Sequence, residues 1–101
     1  MPSGYALTPR ARLGLYEIAA YGRRHWSAAR LDCYLQAIQD QFDALGESPK
    51  IGLRWEALIA DVRTSFVGTH VIVYRSEEPI EVVRVLHQSS DWSAIIGLPS
   101  P

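Results

Sequence analysis

The chain has 101 residues, of which 48% are hydrophobic and 21% are charged, and its formal net charge is −1. This length and composition are typical of one globular domain. No run of roughly 18 apolar residues indicates a membrane span, and the N-terminal stretch MPSGYALTPRAR lacks the apolar core of a signal peptide. The single cysteine, Cys33, excludes an internal disulfide and a cysteine-rich zinc site. We therefore expect a cytoplasmic protein.

Charge is unevenly distributed along the chain. Residues 1–30 contain five arginines and one acid, Glu17, whereas residues 31–61 contain six acids against Lys50 and Arg54. A cationic segment followed by an anionic one predicts two elements that attract each other. Because the whole chain is not basic, the pattern does not by itself indicate nucleic-acid binding.

The first helix is predicted directly after a short strand in GYALTP (4–9). Thr8 is suited to cap this helix and Pro9 to occupy its first position, where the missing N–H has no intrahelical partner to lose. The helix is expected to end near Gly22, with Arg23-Arg24 at its negative end. Its apolar face consists of Ala11, Leu15, Ile18 and Tyr21.

The second helix is predicted from the Ser27 cap to Gly46. Its apolar stripe consists of Leu31, Leu35, Ile38, Phe42 and Leu45, at regular helical spacing. The short link HWS between the two helices makes them antiparallel neighbours. Residues 47–58 are predicted to be a loop, with room for one helical turn at its end.

From Asp61 the apolar period changes to two, which predicts strands in DVRTSFV, HVIVYR and IEVVRVLH. Gly68-Thr69 is suited to a tight hairpin turn and SEEP (76–79) to a second turn. The predicted fold class is α+β with two layers: an N-terminal strand, an antiparallel helix hairpin, and a three-stranded antiparallel meander that completes one sheet. We expect a single domain over residues 1–92 and a C-terminal tail over 93–101.

Turn lengths predict the register and the two faces of this sheet. The first turn places Val67 opposite His70 and Arg63 opposite Tyr74, and a two-residue second turn would place Tyr74 opposite Glu81. The more apolar face should pack on the helices; it contains Val62, Phe66, Val71, Val73, Ile80, Val82 and Leu86, with Arg75 and Arg84. The open face then contains Arg63, Val67, His70, Ile72, Tyr74, Glu81, Val83, Val85 and His87.

Arg84 is predicted to lie on the helix side of the sheet. A buried guanidinium needs an anionic or carbonyl partner, because an unpaired buried charge costs several kcal/mol. Asp32, Asp40 and Asp43 of the second helix are the candidate partners. Arg84 is therefore predicted to have a structural role, and Arg75 either the same role or a place at the solvated end of the hairpin.

Three stretches of the chain resemble the ParE family of the RelE/ParE toxin superfamily. The helical segment YALTPRARLGLYEIAAY is followed by VGTHVIVYR and IEVVRVLHQ, which are spaced by a short acidic turn, and the likeness extends over roughly residues 5–92. Gly14 stands where the family often has Asp, and Ala60-Asp61 stand where it often has Pro-Gly. The resemblance implies the same strand, helix-hairpin and sheet arrangement that the periodicity predicts.

The resemblance also implies a function. ParE-type proteins are the toxins of type II toxin–antitoxin pairs, often act in plasmid stabilisation, and are described as inhibitors of DNA gyrase. A ParD-like antitoxin would wrap the toxin, and operator DNA would be contacted only through that antitoxin. RelE-type relatives instead cut messenger RNA on the ribosome, so an mRNA endoribonuclease is the alternative. A remnant that only binds antitoxin and regulates its own operon is a third possibility.

Catalysis and binding require different residues. A ribonuclease would have to use Arg63, His70, Glu81 and His87, and no cation follows His87 to neutralise phosphate charge. The alternative roles of these histidines are structural: His70 as a polar residue beside a turn, and His87 as a strand end held by a hydrogen bond. No glycine-rich phosphate loop, HExxH motif or nucleophile elbow is present, so neither a cofactor nor a metal is expected.

A binding protein needs exposed apolar surface with a polar rim. The candidate antitoxin-binding residues are Tyr16, Trp26, Tyr34 and Trp55. The candidate target-binding residues are Arg63, His87 and Trp92. Trp26 is also suited to plug the end of the helix hairpin, and the C-terminal DWSAII either faces a partner or packs on the sheet. This pattern favours a toxin that binds its target over an enzyme.

Overall fold

The computed structural model of the protein describes residues 4–54, 61–77 and 79–90. Two helices and five strands follow one another along the chain: β1 (Tyr5–Leu7), α1 (Pro9–His25), α2 (Ala28–Glu47), β2 (Leu53–Arg54), β3 (Val62–Val67), β4 (His70–Arg75) and β5 (Ile80–His87). The predicted α+β class with a helix hairpin on one sheet is confirmed. Among the described residues, neither helix is long and apolar enough to cross a membrane.

Helix α1 begins at the predicted cap. The Thr8 hydroxyl accepts a hydrogen bond from the Ala11 N–H at 3.1 Å, and Pro9 occupies the first turn. The same hydroxyl donates to the Val83 carbonyl at 2.7 Å, so the start of the helix is fixed to β5. The helix ends at His25, beyond the predicted stop, because the Trp26 N–H still donates to the Gly22 carbonyl at 2.8 Å.

Helix α2 follows after a link of two residues. Its cap is Ser27, whose hydroxyl accepts from the Arg30 N–H at 3.1 Å. The predicted apolar stripe forms the inner face of the helix: Leu31, Ile38, Phe42 and Leu45 are buried, and Leu35 is partly buried against the core. Full burial of a side chain of this size contributes about 1.5–3 kcal/mol, so this stripe is a major part of the core.

The five strands form one mixed sheet in the order β1-β5-β4-β3-β2. Strands β3, β4 and β5 form the predicted antiparallel meander, and β2 pairs antiparallel with β3. Strand β1 runs parallel to β5, so the sheet is not purely antiparallel. Strand β2 lies in the segment 47–58, which is predicted to be a loop. In that segment Glu47 ends α2 and residues 48–52 form a turn and a bend, as a loop should, whereas residues 55–58 and the C-terminal DWSAII segment fall outside the described residues.

The first hairpin has the predicted register and the second does not. Val67 pairs with His70 and Arg63 with Tyr74, around a turn in which Gly68 has a φ of +55°. In the second hairpin Tyr74 pairs with Val82 rather than Glu81. The predicted two-residue turn was therefore one residue too short.

A β-bulge adds a further shift in β5. Val73 pairs with Arg84 whereas Tyr74 pairs with Val82, so Val83 is the extra residue in the strand. A bulge changes which face the following side chains occupy. Beyond it, Ile72 pairs with Val85, whereas the predicted pairing of Tyr74 with Glu81 would have placed Ile72 opposite Val83.

The prediction of the sheet faces was wrong for β3 and β4. Ile72 and Tyr74, assigned to the open face, belong to the buried cluster under the helices. Strand β4 is apolar on both sides, since Val71, Ile72, Val73 and Tyr74 are each at most 1% exposed, so hydrophobicity could not distinguish its faces. In β5, Ile80 and Val82 face the helices as predicted, but after the bulge it is Val85 that does so.

Arg84 lies on the sheet face away from the helices, contrary to its prediction. It is paired with Val73. Because Ile72 and Tyr74, on either side of Val73 along β4, point to the helices, Val73 and its partner Arg84 point away from them. Within the described part of the chain, Arg84 forms no ion pair with the acids of α2. The bulge accounts for the error, because it moves Arg84 to the opposite side from the one that simple alternation predicts.

Glycine at position 14 allows α1 to pack directly on β5. A Cβ atom built at Gly14 would lie 2.4 Å from the Val85 carbonyl oxygen. Any larger residue would therefore push the helix from the sheet. The inner face of α1 thus includes small residues that the predicted stripe left out, whereas Tyr21, assigned to that stripe, is 55% exposed.

Candidate functional site

A cleft with a volume of about 480 Å³ opens between the helix hairpin and one end of the sheet. The hairpin contributes Gly14, Glu17, Ile18, Tyr21, Trp26 and Arg30. The sheet end contributes Thr69, His70, Val85, Leu86, His87 and Ser90. The cleft combines apolar walls with a rim of polar and cationic groups, which is the usual construction of a binding pocket.

Aromatic rings and imidazoles form a continuous series at this cleft, in which Tyr34 connects the lining residues Trp26 and His70. Ring centroids are 5.7 Å apart for Tyr21 and Trp26, and 5.3 Å apart for Trp26 and Tyr34. The series continues from Tyr34 to His70 at 5.5 Å and from His70 to His87 at 5.3 Å. Each pair is edge-to-face, the arrangement that the ring quadrupoles favour. The rings therefore form a connected wall from the helix hairpin to the last strand.

Tyr34 fixes the helix hairpin to the hairpin between β3 and β4. Its hydroxyl donates to the Val67 carbonyl at 3.0 Å and accepts from the Thr69 N–H at 3.2 Å. It also lies 2.6 Å from His70 Nδ1. The ring packs on Gly68, where a Cβ would come within 2.7 Å of it. A single phenol therefore sets the position of the turn and of His70.

His70 and His87 are cross-strand partners at the edge of the cleft. The next pair along the strands is hydrogen-bonded, because the Gln88 N–H donates to the Thr69 carbonyl at 2.8 Å. The histidines thus occupy a non-hydrogen-bonded pair, in which side chains approach most closely. Burial, followed by the charge of His87, lowers the pKa of His70 below its usual value. His70 therefore favours the neutral form.

Both imidazoles have a hydrogen bond at Nδ1. Because the Tyr34 hydroxyl donates to Val67, it accepts at His70, which assigns the proton of neutral His70 to Nδ1. His87 Nδ1 instead accepts from the Ser89 N–H at 3.1 Å and lies 2.6 Å from the Ser89 hydroxyl. Hydrogen bonds to Ser89 thus hold His87 at the end of its strand, which is the structural role predicted for it.

Arg30 is the main permanent cation of the cleft. Its guanidinium lies 4.7 Å from the centroid of the Trp26 ring, within cation–π distance. Among the described residues it forms no ion pair, so its charge is available to a ligand. The only acid in the lining that the structure describes is Glu17. The cleft is therefore suited to an anionic ligand with an apolar part.

The four residues of the ribonuclease hypothesis do not form one cluster. His70 and His87 are together, but Arg63 lies opposite Tyr74, four residues further along β4, or about 13 Å at the rise of a strand. Glu81 is six residues from His87 along β5, roughly 20 Å. Among the described residues, therefore, neither Arg63 nor Glu81 lies beside the two imidazoles.

Arg63 holds the segment before β2 instead. Its Nη1 donates to the carbonyls of Lys50 at 3.1 Å and Gly52 at 2.9 Å, and its Nε lies 3.0 Å from Asp61 Oδ1. The Ser76 hydroxyl, followed by the charges of Arg63 and Arg54, lowers the pKa of Asp61. The Arg63 side chain is only 13% exposed, so a structural role accounts for its position.

Glu81 pairs with its strand neighbour on the outer face. Its carboxylate lies 3.7 Å from Arg75 Nη1, and both side chains are about half exposed. A pair this exposed contributes little to stability. Two positions were predicted for Arg75, and the structure shows the one at the solvated end of the hairpin.

The predicted antitoxin-binding residues are spread over the helix hairpin. Tyr16 is 70% exposed on the outer side of α1, whereas Trp26 and Tyr34 are partly buried in the ring series. Trp55 and the target-binding candidate Trp92 lie outside the described residues. The structure thus places Trp26 in the lining of the cleft, Tyr34 against the lining residues Trp26 and His70, and Tyr16 on the exposed surface of α1.

Several lining residues were not predicted from the sequence. Arg30 follows Trp26 by four positions, a spacing that brings side chains together across a helix start and could have indicated the pair. The pairing of His70 with His87 could be predicted only with the correct register of the second hairpin, between β4 and β5.

The described part of the chain contains no group of three or more His, Cys, Asp or Glu that could hold a metal ion.

Comparisons with known proteins agree with this fold. A family model described as "ParE toxin of type II toxin-antitoxin system, parDE" matches residues 5–92. "Toxin ParE1" of Caulobacter vibrioides is 33% identical over 93 residues, which cover 92% of this chain and 97% of that protein. "Toxin ParE1" of Mycobacterium tuberculosis is 34% identical over 93 residues, covering 90% and 95%.

A solved structure has the same fold at low sequence identity. This structure, of a "Chromosomal ParDE TA system from P. aeruginosa", superposes with a TM-score of 0.69 at 17% identity, over 85% of this chain and 96% of that one. At this identity the likeness concerns the fold alone. The family model and the ParE1 relatives, each matching nearly the whole chain, establish that this chain belongs to the ParE toxin family of type II toxin–antitoxin systems.

Proposed function

We propose that the chain is a toxin that inhibits DNA gyrase by binding to it and is neutralised by a ParD-like antitoxin. The observation that supports binding over catalysis is the separation of the polar residues. His70 and His87 share one cleft, while Arg63 and Glu81 are engaged elsewhere in other ion pairs and hydrogen bonds. Metal-free cleavage of RNA needs an acid, a base and phosphate-neutralising cations around one bond. The described lining offers two imidazoles and the Glu17 carboxylate, but only one permanent cation, Arg30, to neutralise phosphate charge.

The antitoxin is proposed to bind along the helix hairpin. Tyr16 and Leu13 are exposed residues on one side of α1, at 70% and 49%, and α1 itself is rich in arginine. Trp26 lines the cleft, and Tyr34 packs against Trp26. An amphipathic segment with acidic residues matches such a surface, and the P. aeruginosa structure of the same fold comes from a ParDE system. Trp55 remains a predicted member of this surface.

The target is proposed to contact His87 and Trp92; Arg63, the third predicted contact, is held by Asp61 and by the Lys50 and Gly52 carbonyls, so its proposed role in target contact is secondary to its structural one. Of these, His87 is exposed and also lines the cleft. An antitoxin seated in the cleft would cover His87, so steric exclusion of the target would explain neutralisation. Operator DNA would be contacted only through the antitoxin. Such a pair would work in the cytoplasm, and plasmid stabilisation is the proposed biological role.

A ribosome-dependent endoribonuclease is the alternative function. The observation in its favour is the His70–His87 pair, with ring centroids 5.3 Å apart and Tyr34 bonded to one of them. Histidine is the side chain most often used in proton transfer. The absence of a second permanent cation from the lining that the structure describes argues against it.

Inducible expression in cells separates the two functions. Gyrase inhibition predicts DNA damage, filamentation and loss of plasmid supercoiling while transcripts stay intact. Rapid codon-linked cleavage of transcripts before any DNA damage would overturn the proposal. Co-expression of the antitoxin encoded beside the toxin is the matched control, and it should restore growth in either case.

A further inference from the structure

The cleft beside Trp26 has a chemistry more specific than a general docking surface. Its volume of about 480 Å³ lies in the range of pockets that take a small organic group. One wall is apolar, formed by Ile18, Trp26 and Val85. The rim has the guanidinium of Arg30 and the imidazole of His87. A group that satisfies both parts has an aromatic or aliphatic body and a carboxylate.

Arg30 is prepared for such a carboxylate. The guanidinium carbon lies over the Trp26 ring, 4.7 Å from the ring centroid, within cation–π distance. No described residue forms an ion pair with Arg30. A guanidinium that already rests on a ring loses less freedom when it binds a carboxylate, which favours recognition.

We propose that this cleft is an anchor pocket, which takes one apolar side chain and an adjacent carboxylate from an acidic segment of the antitoxin. The proposal rests on the proposed function for the identity of the occupant. The pocket itself rests on geometry: an apolar wall, a guanidinium without an ion pair among the described residues, and two imidazoles at one opening. Charge complementarity selects an acidic partner, because Arg30 is a permanent cation without an ion pair among the described residues and stands at the opening of the pocket.

The pocket also has a protonation-dependent rim. His70 and His87 face it from the sheet, Glu17 and Tyr21 from α1, and Arg30 from α2, while the Tyr34 hydroxyl contacts His70. Burial lowers the pKa of His70, so this imidazole gains its charge only as the pH falls below the ordinary histidine value of 6.5. Its protonation adds positive charge beside the proposed carboxylate position, so anion binding should strengthen as the pH falls through that range.

Indole-3-acetate is the probe for this pocket, and indole-3-acetamide is its uncharged counterpart. Titration into the full-length chain, followed by NMR, should shift the Trp26 indole N–H and the His87 ring signals saturably. The dissociation constant of the acetamide should be at least about threefold higher, because the acetamide lacks the charge for one solvated ion pair with Arg30. Adenosine 5′-monophosphate is titrated in parallel, since preference for it would indicate a nucleotide site and overturn the proposal.

Matched variants test the assigned residues. Arg30→Gln should weaken the binding of indole-3-acetate by about threefold to tenfold, while Arg12→Gln, an exposed cation of α1 outside the lining, should leave it unchanged. Circular dichroism establishes that both variants are folded. Equal binding of the two indoles, or equal effects of the two variants, would overturn the pocket assignment.

Failure of the anchor pocket can be distinguished from failure of the proposed function. If the chain poisons gyrase and its antitoxin neutralises it, but the probe does not bind, only the anchor pocket is wrong. If the probe binds as expected but the chain has no effect on gyrase, the pocket stands and the target named in the proposed function is wrong. If Arg30→Gln abolishes probe binding yet leaves antitoxin affinity unchanged, the antitoxin does not use this pocket.

Discussion

The phenolic oxygen of Tyr34 on α2 lies 2.6 Å from Nδ1 of His70, the first residue of β4. This contact joins the helix hairpin to the end of the sheet where the cleft opens. The same oxygen bonds to the backbone at Val67 and Thr69. The position of His70 therefore depends on one side chain of α2.

Replacement of this phenol tests the connection. Tyr34→Phe keeps the ring but removes three hydrogen-bond contacts, and it leaves the Val67 carbonyl and the Thr69 N–H without this partner. We expect a loss of about 1–3 kcal/mol in the free energy of unfolding, measured by urea titration. Tyr16→Phe is the control, because Tyr16 is 70% exposed, and it should change stability by less than about 0.5 kcal/mol. Equal effects of the two variants would contradict this role of Tyr34.

Two helical glycines should respond differently to the same change. A Cβ at Gly14 would lie 2.4 Å from a backbone oxygen of β5, whereas one at Gly22 would lie 2.5 Å from the flexible Leu31 Cδ1. Both replacements by Ala gain about 1 kcal/mol of helix propensity. Gly14→Ala should nevertheless destabilise by about 1–3 kcal/mol through overpacking, and Gly22→Ala by less. Thermal unfolding measures the order, and a more stable Gly14→Ala variant would show that α1 can move away from β5.

Arg63 is predicted to matter for folding. Arg63→Gln removes the donors to the Lys50 and Gly52 carbonyls, and its partner Asp61 loses its closest cation. We expect a loss of about 1–3 kcal/mol in the free energy of unfolding, as for hydrogen bonds to charged groups. Arg54→Gln is the control, since Arg54 Nε is 3.6 Å from Asp61 and the side chain is 47% exposed. A variant of Arg63 that loses gyrase inhibition at unchanged stability would support target contact instead.

Stability should depend on pH through His70. Burial, with a further contribution from the charge of His87, lowers its pKa in the folded chain below the ordinary value of 6.5. The unfolded chain therefore binds the proton more readily, and the free energy of unfolding should fall as the pH drops from about 6.5 towards the lowered pKa. His70→Gln should flatten this dependence in urea titrations across that range, whereas His25→Gln, at an exposed site, should not. Identical pH slopes for the wild-type chain and His70→Gln would contradict the assignment.

The helices and the first hairpin could be predicted because local chemistry determines them. Thr8 with Pro9, and Ser27, supply the helix caps, and Gly68 supplies the positive φ of the turn. These signals act over a few residues and do not depend on what packs around them. The stripe from Leu31 to Leu45 likewise needs only helical spacing.

The faces of the sheet could not be predicted in the same way. Strand β4 is buried on both sides, so alternation gives no preference, and the bulge at Val83 has no glycine to mark it. What fixes the orientation is long-range: Tyr34 reaches the β3–β4 turn and Tyr74 donates to the Pro49 carbonyl at 2.8 Å. The His70–His87 pair, and with it the cleft, follows from that orientation and from the second register.

Supercoiling of relaxed plasmid by purified DNA gyrase tests the central claim most directly. With the purified chain added, we predict that supercoiling stops and that stoichiometric antitoxin restores it, while message bound to ribosomes in a parallel reaction stays intact. Undiminished supercoiling together with cleavage of that message would contradict inhibition by binding and establish catalysis in its place.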